Sequence, residues 1–218
     1  MTITQILENH NIVPPQRVGT KTGATKSIET LTRHQARFLF GKAKLRLLDI
    51  NQWGYLCGKP SADFKITDEA GQLLDTVNPE IGHLIRISIP GPENNDGSGY
   101  DWVRIEQFED HKDDLNDEEH FGFRVRPVKN PLEEGGENAH FYSDQATSTF
   151  LIIRKGNSVI ALERGRNEVT NKDASSFIAK MRNIMVSLFA MIGFSNPQWK
   201  RLMKGLIEGP PDSVNLRT

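Results

Sequence analysis

The sequence has a single cysteine, Cys57, among 218 residues. This scarcity excludes an intramolecular disulfide and any zinc site built from cysteine thiolates. No run of about 18 apolar residues occurs, so no transmembrane segment is predicted. The polar residues 1–11 also lack the basic start and apolar centre of a secretory signal. Together these absences predict a cytoplasmic protein, because disulfides are rare in a reducing compartment.

The sequence also has no excess of charge of either sign. Its 27 Lys and Arg residues and 28 Asp and Glu residues give a net charge of −1. This balance argues against a nucleic-acid partner held by a dominant positive surface. Hydrophobic residues form 37% of the chain, which is enough for a core and excludes general disorder. The length favours one domain. We expect an N-terminal arm at 1–27, a single domain at 28–209 and a C-terminal tail at 210–218.

Motifs of known chemistry are equally scarce. Residues 19–27 (GTKTGATKS) are similar to a phosphate-binding loop, but Thr25 stands before Lys26 where that motif needs glycine, so we expect a flexible arm. The acidic segment 109–120 lacks the glycine turn of a calcium loop, so a solvated loop is expected. The six histidines show no metal-binding spacing. We therefore assign no catalytic residue, cofactor or metal.

The pattern of apolar residues predicts helices at both ends of the chain and strands between them. A helix is expected from about residue 34 to 48, with Ala36, Phe40, Ala43 and Leu47 on one face. A short strand at 28–32 precedes this helix, and two further helices are expected at 175–192 and 196–208. Six or seven alternating strands lie between the helices, at 63–67, 72–76, 83–89, 102–108, 121–126, 147–154 and 158–164.

This arrangement defines the predicted fold class. Helices that cluster at the chain ends indicate an α+β protein and not an alternating α/β protein. Alternation of apolar and polar residues along the strands predicts a single antiparallel sheet with one apolar face. That face is expected to pack on the helix at 175–192, in which Leu188 lies mid-stripe. The side chains expected there are Ile85, Ile87, Val103, Ile105, Phe123 and Val125.

Two local stretches carry a resemblance to a known family. Residues 47–53 (LLDINQW) are similar to the end of the first helical pair in helix-grip domains. Residues 68–71 (DEAG), followed by 82–87 (GHLIRI), are similar to the early hairpin of those domains and the strand after it. With the order of the elements, residues 28–207 thus resemble the START and Bet v 1-like superfamily. The resemblance implies a curved antiparallel sheet around a long C-terminal helix, with a cavity between them.

Arg166 and Asn167 are candidates for holding an anionic ligand group. They follow the last predicted strand, where the chain leads into the helix at 175–192. A guanidinium group beside the free N–H groups of a helix start is suited to a carboxylate or phosphate. The alternative is that Arg166 pairs with Glu163 or Glu168 and holds the turn.

Four further residues are predicted to line the ligand site. His83 and His140 are expected at the mouth of the cavity, where a histidine serves as a hydrogen-bonding group or as a proton carrier. Trp102 and Tyr142 offer aromatic surface for its wall.

Arginines on the strands are the remaining candidates. Their alternation with apolar residues places them on the face opposite the core, where pairs with Glu106 and Glu163 are the simplest expectation. Some of them line a cavity in the alternative interpretation. They are Arg86, Arg104, Arg124, Arg126 and Arg154.

Three functions fit these patterns. Members of the resembled superfamily bind lipids and other hydrophobic ligands or act as cyclases and hydrolases, and the fold alone selects none of these. The leading hypothesis is a binding module for a small hydrophobic or amphipathic ligand between sheet and terminal helix. The second is an enzyme of the same fold that uses a His or Glu as acid or base. The third is an interaction protein, in which the helix at 196–208 docks on a partner or forms a homodimer.

Overall fold

A computed structural model of the protein describes residues 12–59, 61–88, 100–132, 145–168 and 197–211. Helix α1 spans Arg33–Leu48 and is followed by a 3-10 turn at Ile50–Gln52 and a short helix α2 at Trp53–Cys57. Helix α3 covers residues 197–208. The seven strands are β1 (Thr20–Glu29), β2 (Asp63–Thr67), β3 (Leu84–Ser88), β4 (Tyr100–Asp113), β5 (Glu118–Pro127), β6 (Thr147–Lys155) and β7 (Ser158–Glu168).

The strands form one sheet in the order β1-β7-β6-β5-β4-β3-β2. Every neighbouring pair is antiparallel, and β2 to β7 are neighbours in sequence order, whereas β1 lies at the edge beside β7. The predicted α+β class with a single antiparallel sheet is therefore confirmed. The helix expected at 175–192, with Leu188, lies outside the described residues.

Helix α1 begins where the sequence provides a capping box. The Thr32 hydroxyl accepts the Gln35 backbone N–H at 3.2 Å, and the Gln35 side chain accepts the Thr32 backbone N–H at 3.1 Å. These two bonds satisfy donors that a helix start leaves free. The predicted apolar face is confirmed, since the buried residues of the helix are Ala36, Phe40, Ala43 and Leu47.

One face of the sheet, which we call the inner face, packs against the helices. Trp53 of α2 lies at the centre of this core, with its ring stacked 6.0 Å from Phe123 and its Nε1 donating to the Leu47 carbonyl at 3.1 Å. Phe150 lies 5.0 Å from the same ring. The six residues predicted to share one face all belong to this core or pack against it: Ile85, Ile87, Val103, Ile105, Phe123 and Val125.

The opposite, outer face carries a second apolar cluster. Ile12 is fully buried against Leu151, Ile153, Ile160 and Leu162 of β6 and β7. The chain ahead of β1 therefore covers part of the outer face.

Three predicted segments differ from the structure. Residues 72–76 form no strand and contribute only an isolated bridge between Thr67 and Leu73. The acidic segment 109–120 is a hairpin, because β4 continues to Asp113 and pairs in register with β5, for example His111 with His120. The predicted arm at 1–27 contains most of β1, which begins at Thr20 and is anchored by β7 along its length.

Candidate functional site

Glu163 of β7 is a carboxyl group inside the inner face. Its neighbours on the adjoining strands are Ala24 of β1 and Phe150 of β6, both apolar and buried. The side chain is 0% exposed, and neither of its oxygens has a hydrogen-bond partner among the described residues. A buried polar group in this state is uncommon, because desolvation without a hydrogen bond costs roughly 1–3 kcal/mol.

Burial raises the pKa of Glu163 to about 8, and the nearby charge of Glu168 adds to the rise. The guanidinium groups of Arg164 and Arg166 oppose the rise without cancelling it. The backbone N–H of Ala24 also opposes it, although its contact with the carboxyl falls short of hydrogen-bond geometry. The carboxyl of Glu163 is therefore mostly protonated at pH 7 and able to donate a hydrogen bond.

Glu168 is the second carboxyl on this side of β7. The Thr22 hydroxyl donates to its Oε1 at 2.8 Å, and burial raises its pKa. Gly165 makes this position possible, because a Cβ there would overlap both the Glu168 carboxylate and the Thr22 hydroxyl. Glu163 is fully buried and Glu168 is half-buried, so the pair runs from the core toward the end of the strand.

The arginines beside these acids lie on the outer face. Arg164 donates to the Ala24 carbonyl and to the Thr25 hydroxyl, both at 3.1 Å. Arg166 donates to the Gly165 carbonyl at 2.8 Å. Burial lowers the pKa of both guanidinium groups, and no described Lys or Arg forms an ion pair with Glu163.

Asn167 holds the chain ahead of β1. Its Oδ1 accepts the backbone N–H groups of Arg17 at 2.7 Å and Val18 at 3.2 Å, and its own N–H donates to the Gln16 side chain at 3.0 Å. Asn167 has a φ of 55°, in the left-handed region where asparagine is among the better tolerated residues. It stands between Gly165 and Glu168, where the pairing of β7 with β1 shifts register.

Asp101 is a third carboxyl on the inner face. It pairs with Ile87 of β3 and alternates with Val103, and both of these pack against the core. Burial raises the pKa of Asp101 to about 6. Strands β5 and β6 separate it from β7, so it forms no pair with Glu163.

Among the described residues predicted to bind a ligand, His83 and Trp102 do not lie close to Arg166 and Asn167. Trp102 alternates with Val103 and so lies on the outer face, where its indole N–H is buried without a described partner. The half-buried His83 precedes β3, and its Nδ1 accepts the Glu80 N–H at 3.1 Å. Three strands lie between β3 and the strand that holds Arg166 and Asn167. His140 and Tyr142 lie outside the described residues.

The prediction for the strand arginines is confirmed for one acid and wrong for the other. Arg124 and Arg126 both form ion pairs with Glu106, as expected of cross-strand neighbours on the outer face. Glu163, in contrast, lies on the inner face. The signal was present in the sequence, because Glu163 has the same alternation as the apolar residues Val159 and Ala161 and not that of its neighbouring arginine.

The described part of the chain carries neither a membrane-spanning helix nor a cluster of metal ligands. None of its helices is long and apolar enough to cross a membrane. Within the same residues, no group of three or more His, Cys, Asp or Glu side chains is arranged to hold a metal ion.

The described residues define an α+β protein with a single seven-stranded antiparallel sheet and a buried carboxyl on its inner face. Solved structures similar to this chain include truncated norcoclaurine synthase from Thalictrum flavum, with 11% identity, a TM-score of 0.41 and coverage of 89% of this chain and 99% of the other. A point mutant of that synthase in complex with a transition state analogue has 10% identity, a TM-score of 0.36 and coverage of 87% and 98%. Ara h 8.0201 has 10% identity, a TM-score of 0.33 and coverage of 86% and 98%. No protein-family model and no curated protein matches the chain.

Proposed function

We propose that this protein binds a small hydrophobic or amphipathic molecule on the inner face of its sheet, beside Glu163. The observation that supports this function is the fully buried Glu163 carboxyl, which no described residue hydrogen-bonds. A ligand whose polar end reaches Glu163 would satisfy that carboxyl, while its apolar part is buried at about 25 cal/mol per Å² before ordering costs.

The proposal moves the polar contact from the outer face to the inner face. Arg166 and Trp102 lie on the outer face, and Asn167 is engaged by the chain ahead of β1. Contacts of a ligand with these residues, and with His83, His140 or Tyr142, stay predictions. The indole N–H of Trp102 is also buried without a described partner, but it lies on the outer face, whereas the carboxyl of Glu163 combines burial and free hydrogen-bonding capacity with a position on the inner face.

Native mass spectrometry of the purified protein tests the proposal. We expect a co-purifying small molecule on the wild-type protein and its loss from Glu163→Leu, which keeps the site apolar but removes the polar contact. The control is Glu29→Leu, at the exposed end of β1. Wild-type protein that carries no ligand and also fails to bind an apolar fluorescent probe would contradict the proposal.

A second candidate function is catalysis with Glu163 as a general acid or base. The observation that favours it is the pKa of about 8, which lets this carboxyl exchange a proton near neutral pH. Raised carboxyl pKa values of this kind occur in enzymes that use Glu for proton transfer. Burial alone also produces such a pKa, so the value does not by itself choose between catalysis and binding.

Recovered ligand separates the two candidates. The molecule released from the wild-type protein is added back and its mass is followed with time. An unchanged mass supports binding alone. A new product that Glu163→Gln no longer forms, although this variant still binds the molecule, supports catalysis.

The interaction-module hypothesis has less support. The apolar side chains of α3, including Leu202, Met203 and Leu206, are 0% exposed within the chain's own core and are not displayed to a partner. A homodimer stays a prediction. A cytoplasmic location also stays a prediction. It is supported by the single cysteine, Cys57, which is buried and not paired in a disulfide. Burial raises the pKa of its thiol to about 12.

A further inference from the structure

The inner side of β7 holds two carboxyl groups that form no ion pair with a described Lys or Arg. They are Glu163 and Glu168, which flank Gly165, and the charge of Glu168 acts on Glu163 through space. The two arginines of the same strand point to the outer face and donate to backbone carbonyls there. The neighbours of Glu163 on β1 and β6, Ala24 and Phe150, bear no charge.

The hydrogen-bonding capacity of the pair is also one-sided. When ionised, two carboxylates offer only acceptors. The Thr22 hydroxyl donates to Oε1 of Glu168 at 2.8 Å and the Thr20 hydroxyl donates to Oε2 at 3.5 Å, whereas both oxygens of Glu163 lack a described partner. An alkylammonium group has three N–H donors and a positive charge, and bonds of this kind are stronger than neutral ones. A carboxylate or phosphate ligand would instead face repulsion.

The change in burial along β1 gives the direction from which an alkylammonium group would approach the two acids. Thr20, Thr22 and Ala24 alternate on the inner side and pass from exposed through half-buried to buried. On β7 the matching residues are Glu168 and Glu163, in the same order. The acids thus follow the same increase in burial from the end of the sheet into its core.

We infer that the ligand of this site carries a protonated amine on an apolar body and that the amine is held between Glu163 and Glu168. This inference rests on the proposed function and adds the chemical class of the ligand. Ammonium binding favours the ionised carboxylate. At pH 7, where Glu163 is mostly protonated, binding therefore transfers its proton to the buffer. The charged groups acting on Glu163 among the described residues are Glu168, Arg164 and Arg166.

The test uses three probes with the same apolar chain: octylamine, octan-1-ol and octanoate. Isothermal titration at pH 7 in phosphate and in Tris buffer gives both the affinity and the number of protons released. We expect octylamine to bind roughly tenfold more tightly than octan-1-ol. It should release close to one proton per ligand, because a group with a pKa of about 8 is ~90% protonated at pH 7. Octan-1-ol should release none.

The dependence of affinity on pH sharpens the test. Between pH 7 and pH 9 the Glu163 carboxyl ionises, while an alkylammonium group keeps its proton, since its pKa is near the value of about 10.4 for lysine. Octylamine should therefore bind more tightly at pH 9, by up to roughly tenfold. In Glu163→Gln the proton release, the pH dependence and the advantage over octan-1-ol should all be lost. Glu29→Gln should behave as the wild type.

The outcomes separate this inference from the proposed function. If octan-1-ol or octanoate binds as tightly as octylamine, or if octylamine binds without proton release, the inference is overturned and the binding function stands. If an amine advantage persists undiminished in Glu163→Gln, the inference is overturned as well. If none of the three probes binds to the wild-type protein, both the inference and the proposed function fail.

Discussion

Replacement of Glu163 by glutamine should change how the stability of the protein depends on pH. Burial raises the pKa of this carboxyl from 4.5 to about 8 in the folded protein, whereas the unfolded chain keeps the ordinary value. Between these two pH values the folded state holds a proton that the unfolded state has lost. Stability therefore falls as pH rises through this window, and it falls only where Glu163 can titrate.

The size of the effect follows from the same two pKa values. Each pH unit between pH 4.5 and pH 8 removes about 1.4 kcal/mol of unfolding free energy from the wild type. Glutamine does not titrate. Relative to its value at pH 4.5, the stability difference between Glu163→Gln and the wild type should therefore grow by about 3 kcal/mol at pH 7. Above pH 8 it should level off near about 5 kcal/mol.

Urea denaturation followed by tryptophan fluorescence at pH 5, 6, 7 and 8 measures this difference. Any cost of burying an amide is common to every pH and cancels when the values are compared. The matched control is Glu29→Gln, in which an exposed carboxyl at the end of β1 is neutralised. A difference between Glu163→Gln and the wild type that stays constant from pH 5 to pH 8 would refute the buried position of Glu163.

Three further perturbations test the fold and its inner face. Trp53→Ala should lower the unfolding free energy by about 3–5 kcal/mol, because a ring that is 1% exposed leaves a large space in the core; a urea midpoint that hardly moves would contradict its central position. Asn167→Ala should speed amide hydrogen exchange at Arg17 and Val18, whose N–H groups donate to its side chain, and unchanged exchange would show that other contacts hold this segment. Asp101→Asn should stabilise the protein above pH 6 by up to about 3 kcal/mol in the same urea series, since burial raises its pKa to about 6, and equal stability at all pH values would count against its burial.

Local periodicity predicted the elements whose partners are close in sequence. The apolar face of α1 and the hairpin of β6 and β7 around Gly156 follow from residue spacing and turn chemistry alone. Gly156 has a φ of 58°, which a glycine adopts without strain. In these segments propensity, patterning and turn residues agree, so the sequence alone was sufficient.

The hairpin of β4 and β5 was mistaken for a loop because its charged residues are paired by distant parts of the chain. Asp117 accepts from Arg154 at 2.9 Å and from Arg37 at 3.1 Å, and the half-buried Glu119 also pairs with Arg154. Arg154 itself is only 1% exposed. A run of acidic residues usually indicates a solvated loop. The long-range ion pairs that stabilise this hairpin cannot be recognised from the local sequence pattern, so that pattern does not indicate a strand.

The predicted contacts of a ligand with Arg166 and Asn167 and the proposed contact with Glu163 lie on opposite faces of β7. Composition favoured Arg166 and Asn167, since arginine and asparagine are common in binding sites, and both do form several hydrogen bonds. Those bonds, however, go to the protein's own backbone and side chains. Residue type indicated polar chemistry near the end of β7, but the face on which it lies depends on strand register, which a shift of one residue reverses.

The two faces of β7 therefore differ in whether their polar side chains have hydrogen-bond partners within the described residues. On the outer face, Arg164 and Asn167 satisfy their hydrogen-bonding groups within the chain and join β7 to the segment that precedes and forms β1. On the inner face, Glu163 has no described partner, although it is the more deeply buried group. A fold whose outer arginines and asparagine are satisfied has no structural need for an unsatisfied carboxyl in its core. Burial of a carboxyl without a hydrogen-bond partner costs free energy that an apolar side chain would avoid. The presence of Glu163 at this position therefore supports the proposed binding of a molecule there.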